Sequence, residues 1–142
     1  MGKMDAEINL KTIIKMLKKH EGSCRYPYID TTGHITIGIG RNLTDNGLSD
    51  DEVEFLLKND IINCWNDLHK FEWFSKQSIS VKNVLIDMCF NLGLPKFLQF
   101  KKMIAALDKM DFNEASKEAL DSLWAKQNPR RAREISDIIC GG

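Results

Sequence analysis

Apolar residues recur at helical spacing along most of this chain and alternate at period two in one stretch. Leu10, Ile13, Ile14 and Leu17 fall on one face of a helix expected over about residues 5–20. Glu21 continues that stripe, one position before a glycine able to end the helix. Tyr26, Tyr28 and Asp30 then alternate with other residues up to a Thr31-Thr32-Gly33 turn, and Ile35, Ile37 and Ile39 alternate with Thr36, Gly38 and Gly40 beyond it. That is the pattern of a β-hairpin with one apolar face and one polar face, the latter left bare by its glycines beside the Thr36 hydroxyl. After a turn-rich segment from Asn42 to Gly47, Ser49 and Glu52 form a capping box, and Val53, Leu56, Leu57, Ile61, Cys64, Trp65 and Leu68 keep a helical period to about residue 69. Ser78 or Ser80 starts the next helix, through Val81, Val84, Leu85, Met88 and Leu92; it is expected to be central and buried, and to stop at Gly93 ahead of Pro95. Further amphipathic helices are expected through Phe97, Phe100, Met103, Ile104 and Leu107, from Phe112 to Leu123, and from Arg131 to Ile139, with a break at Asn128-Pro129. One hairpin among many helices predicts an α+β, mostly helical chain.

The candidate chemistry lies where the first helix meets the hairpin. Glu21 and Asp30 come from different elements and would border one groove, and two carboxyl groups in unlike surroundings are what glycoside hydrolysis requires. A helix C-terminus and an apolar face both disfavour charge on Glu21, which makes it the candidate acid. Asp30, at a turn with hydroxyls at Thr31 and Thr32 and amides nearby, is expected to stay ionised and act as base. Taken singly, each has a plainer reading, as a surface glutamate at a helix end and an aspartate in an ordinary turn.

Glu21-Gly22, Tyr28, Asp30, Gly33 and the run Thr36-Ile37-Gly38-Ile39-Gly40 together closely resemble the phage-type lysozymes, glycoside hydrolase family 24. Phe90-Asn91-Leu92-Gly93 and the segment Trp124 to Ala132 extend the resemblance over most of the chain, with a shorter and divergent middle. The resemblance implies a single lysozyme domain over residues 1–142. Its small hairpin lobe would cover about 21–47, its connecting helix about 49–69, and its larger helical lobe about 75–142 together with the N-terminal helix, with a cleft flanked by the lobes. It implies an endolysin, a muramidase that hydrolyses the β-1,4 bond between N-acetylmuramic acid and N-acetylglucosamine in peptidoglycan, with inversion, and so lyses bacteria. The family's acid falls on Glu21, its base on Asp30 and its water-positioning threonine on Thr36. Asn42, Phe90, Asn91, Gln127 and Arg131 fall on the substrate side. Arg131 could hold the acid's carboxyl, bind a substrate group or make a structural ion pair. Arg41 stands where the family usually carries a histidine that supports folding through an ion pair. A lytic transglycosylase acting on the same bond is an alternative, although those enzymes usually rely on one glutamate. A wall-binding or tail-associated protein that keeps the fold is another, for which the full set of Glu21, Asp30 and Thr36 has no use.

Composition narrows the remaining choices. A chain of 142 residues with 43% hydrophobic and 28% charged residues is long enough to bury about two-thirds of its unfolded surface as one domain. Its formal net charge of zero advertises neither nucleic acid nor an anionic membrane as partner. Lysines at 3, 11, 15, 18 and 19 and bases at 126, 130, 131 and 133 flank an acidic stretch between Asp45 and Glu72. These can present positive ends to an anionic wall polymer or simply form solvated faces. Phe71, Trp73 and Phe74 can stack on sugar rings or pack a core. Cys24, Cys64, Cys89 and Cys140 have no metal-ligand spacing with His20, His34 or His69, so free thiols, no metal and no cofactor are expected. No run of about 18 apolar residues suggests a membrane span, and the N-terminal stretch lacks a leader's apolar core. The expectation is therefore a monomer without stable membrane insertion. It would stay in the host cytoplasm until a holin or similar factor releases it to act on the wall from the periplasm.

Overall fold

Asn9 opens the first helix by accepting the Thr12 amide at 3.0 Å, an N-cap bond worth about 1 kcal/mol. The computed structural model describes residues 7–142. Helix α1 spans Leu10–Glu21, with Lys18, Lys19 and His20 set against the negative end of its dipole and Gly22, at φ 74°, closing it. The start expected near residue 5 is corrected in part: Ile8 and Asn9 are not helical, whereas positions 5 and 6, like the first residues of the leader reading, lie outside the described residues.

The chain divides into two compact units, Met1–Val53 and Glu54–Gly142. In the first, β1 (Cys24–Ile29) pairs antiparallel with β2 (Ile35–Gly38), with Tyr28 opposite Thr36 and Ile29 opposite Ile35. A bulge between Cys24 and Tyr28 takes in Pro27, which has no amide proton to give a ladder. A short β3 (Arg41–Asn42) pairs on the other side, placing Asn42 opposite Thr36 and leaving β2 central.

The expected faces of the hairpin are reversed. Thr36 is 4% exposed, while Ile35 and Ile39 are 47% and 37% exposed. Central-strand position flanks Thr36 with Tyr28 and Asn42, and positive φ at Gly38, the last residue of β2, stops the alternation before Ile39.

Helix α2 (Leu43–Asn46) is capped by Asn42, and its Thr44 Oγ1 accepts the Ile35 amide at 2.8 Å, which ties it to β2. Both halves of the capping box form at the start of α3 (Asp50–Leu68): Glu52 N donates to Ser49 Oγ at 3.2 Å and Ser49 N to Glu52 Oε1 at 2.9 Å. The same carboxylate takes two bonds from Arg41, at 2.8 and 2.7 Å.

The second unit holds the core. After α4 (Glu72–Ser75), Ser78 caps α5 (Ile79–Leu92), which buries Val81, Val84, Leu85, Met88 and Cys89 as its period requires. Truncating such a leucine to alanine typically costs about 2–5 kcal/mol. The helix expected through Phe97, Phe100, Met103, Ile104 and Leu107 is instead two pieces, α6 (Leu94–Phe97), which has Pro95 in its first turn after Gly93, and α7 (Lys101–Asp108). Likewise Phe112 to Leu123 resolves into α8 (Phe112–Leu120) and, capped by Ser122, α9 (Leu123–Gln127), and the last helix, α10, begins two residues early with Pro129 in its first turn (Pro129–Gly141). Phe74 is fully buried, and Trp73 stacks on Phe97 at 6.1 Å, so these aromatics pack the core of the second unit. The four cysteines are free thiols, and burial pushes Cys89 up to about 12.

Candidate active site

Glu21 is the last residue of α1, and its carboxyl group lies against the backbone of Gly40. A Cβ at position 40 would come to 3.3 Å from Glu21 Oε2 and 3.6 Å from Cδ, and Gly40 has φ 75°. Both facts select glycine there. The inward aim expected of Glu21 is corrected: α1 buries no residue, and Glu21 is exposed at the end of the helix. An apolar stripe fixes a side chain's angular position, not whether a neighbour covers it.

Asp30 is held by the turn it initiates. Its backbone amide donates to the His34 carbonyl at 2.9 Å, and its carbonyl accepts from Gly33 N at 3.1 Å. Three donors converge on Oδ1: His34 N at 2.8 Å, Thr32 N at 2.9 Å and Thr32 Oγ1 at 2.8 Å. The His34 amide, then the Thr32 hydroxyl, hold the carboxyl below the usual aspartate range, so it is ionised at neutral pH. The loop chemistry that makes the turn therefore also sets the charge. Thr31, expected to help, makes no such contact, and Thr32 supplies both side-chain and backbone donors.

Thr36 Oγ1 donates to the His34 carbonyl at 3.2 Å, the same oxygen that receives Asp30 N. One carbonyl thus fixes both the hydroxyl and the aspartate backbone. Asn42 spends its side chain locally: its Oδ1 accepts Asp45 N at 3.0 Å and its Nδ2 donates to Asp45 Oδ2 at 2.9 Å. Glu21, Asp30, Thr36 and Asn42 all belong to the first unit.

The other four expected residues belong to the second. Asn91 Oδ1 accepts the Trp124 indole N–H at 2.8 Å, and Phe90 is 44% exposed at the end of α5. Arg131 donates from Nε to Asp87 Oδ1 at 2.7 Å, the ion-pair arrangement among its three readings. Gln127 is exposed and lines a pocket of about 680 Å³ with Lys96, Phe100, Lys102, Glu118 and Trp124. His34, which pattern reading placed only among histidines without metal partners, is at the centre of the turn. Its spacing four residues after Asp30 is the signal that could have found it.

An ionised aspartate and a fixed hydroxyl that share the His34 carbonyl, with a second carboxyl group at a helix end, are groups that can supply base and acid to a glycosidic bond. The chain belongs to the phage lysozyme family, whose sequence model matches residues 18–136. It is similar to probable T4-type lysozyme 1 of Dictyostelium discoideum, with 24% identity over 92% of this chain and 94% of that one. Probable T4-type lysozyme 2 of the same organism is 26% identical over 87% and 91% of the two chains. The pre-baseplate central spike protein Gp5 of Enterobacteria phage T4 is 26% identical over 92% of this chain, which covers 28% of that longer protein. The chain is thus a lysozyme, a glycoside hydrolase whose substrate is peptidoglycan. Among the described residues no helix is long and apolar enough to cross a membrane.

Proposed function

We propose that this lysozyme hydrolyses the β-1,4 bond between N-acetylmuramic acid and N-acetylglucosamine with inversion, and that it lyses bacteria by doing so. The observation that carries this reading is the one-sided hydrogen bonding of Asp30: the three donors from Thr32 and His34 all fall on Oδ1, leaving Oδ2 to take a proton from water. Glu21 gives its proton to the leaving oxygen as the bond from the muramic acid C1 breaks. Water held by Asp30 and Thr36 adds to C1 from the opposite face and passes a proton to Asp30. The buried Thr36 hydroxyl, locked to the His34 carbonyl, offers that water a lone pair of fixed direction. An attack that uses water rather than a carboxylate is what distinguishes inverting from retaining enzymes.

Product stereochemistry tests the proposal. First-turnover products from purified peptidoglycan in labelled water are expected to carry label at a muramic acid reducing end that is initially in the α configuration. An initial β-anomer would mean retention, and an unlabelled anhydro-sugar would mean transglycosylation. The baseplate spike among the relatives supports a second reading, in which this fold works as part of a phage particle. Binding to isolated cell walls without clearing of permeabilised Gram-negative cells would favour that one.

A further inference from the structure

The imidazole of His34 lies between two carboxylates, and the protons available in the turn decide its state. Thr32 Oγ1 is 2.8 Å from Asp30 Oδ1 and 2.6 Å from His34 Nδ1, yet the hydroxyl has a single proton. An ionised Asp30 can only accept, so that proton belongs to the bond with Asp30. Thr32 then turns a lone pair toward Nδ1, and a 2.6 Å contact is attractive only when Nδ1 carries a proton. On the far side of the ring, Nε2 is 3.4 Å from Asp45 Oδ2, again attractive only when Nε2 is protonated. The imidazolium satisfies both sides at once, and either neutral tautomer sets a nitrogen lone pair against an oxygen.

The charged groups facing the ring are Asp30, with Oδ2 at 3.7 Å from Nδ1 across the turn, and Asp45 from α2. Asp45 is itself held by Asn42 Nδ2, and α2 by the Ile35–Thr44 bond. The chain of contacts therefore runs from Asn42 through Asp45, His34 and Thr32 to Asp30.

We propose that His34, as an imidazolium, is a positioning residue that clamps the Asp30 turn to α2, so that turnover falls as the ring loses its proton. This deepens the muramidase reading above and rests on it for the link to turnover. Loss of the Nε2 proton releases Asp45, and loss of the Nδ1 proton sets Thr32 against the ring. In both cases Asp30 is held less firmly, and small displacements of a reacting group are costly in rate.

The test pairs ring ¹⁵N NMR of His34 in the full chain with kcat measured over pH 5–9. Both ring nitrogens are expected to be protonated at pH 6, and the alkaline fall of kcat should follow the His34 titration. Asp45→Asn removes a charge that favours the imidazolium, so both curves should move to lower pH together. His34→Gln should lower kcat about tenfold or more at pH 6 with little change in KM and lose that alkaline limb, while His34→Arg, which keeps the charge, should retain more activity than His34→Gln at pH 8. A neutral ring at pH 6, or a limb unmoved in both Asp45→Asn and His34→Gln, overturns the clamp. Absence of muramidase activity in the wild type would overturn the functional reading alone, because the NMR titration and its shift in Asp45→Asn still decide the state of the ring.

Discussion

Gly40 carries constraints from two directions, and they meet at Glu21. Its left-handed backbone costs an alanine about 1–2 kcal/mol, and an added methyl would press on the glutamate carboxyl. Gly40→Ala is therefore expected to destabilise the chain by about that amount and to cut turnover by more than tenfold. Glu21→Gln, which removes the proton and keeps the shape of the side chain against Gly40, is expected to abolish turnover with an unchanged melting temperature. Activity assays beside thermal melts of the two variants separate displacement from chemistry. The places of Glu21, Asp30 and Thr36 at a helix end, a turn and a strand could be read from the sequence because those elements impose short periods with recognisable residues. The Asp30 surroundings could be read in kind, since hydroxyls and amides at a turn hold a carboxylate. The burial of Thr36 could not, because it depends on a third strand brought in from six residues further on. Nor could the partners of Asn91 and Arg131, which lie 33 and 44 residues away along the chain.

At the scale of elements, Glu52 joins two jobs that the sequence reading kept apart. It completes the capping box of α3, and it receives both guanidinium bonds from Arg41. Bonding from Arg41, then from the Ser49 amide, lowers Glu52 from 4.5 to about 2. An unfolded chain therefore takes up this proton first as the solution is acidified. The contribution to stability is complete above about pH 4.5 and is lost as pH falls toward 2. The melting temperature of Glu52→Gln should lie below that of the wild type at pH 7, and the two should converge near pH 2. A gap that persists at low pH would assign the effect to packing. Capping boxes are legible because they are local, and this one starts α3 where expected. β3 was missed because two residues are too few to show a period, and the break between α6 and α7 because apolar spacing runs straight through it.

For the molecule as a whole, helical periodicity foretold where helices form better than what covers them. The second unit buries the stripe of α5 as expected, whereas Ile14 and Leu17 of α1 and Val53, Leu56, Leu57 and Ile61 of α3 remain exposed. A period of 3.6 specifies which side of a helix is apolar and carries no information about a neighbour. The small sheet shows the same separation, with Tyr26 at 73%, Ile29 at 66% and Ile35 at 47% exposure. A sheet so apolar on its open side invites other chains to extend it, and what discourages them is the condition of its borders. One border, β3, is two residues long, and the other, β1, is interrupted by the bulge and by Pro27, which offers no hydrogen to an incoming strand. Pro27→Val would return an amide donor to β1. Concentrated solutions of that variant should scatter light and bind amyloid-sensitive dyes at concentrations where the parent stays clear. Proline in this bulge would then protect the lysozyme from its own copies.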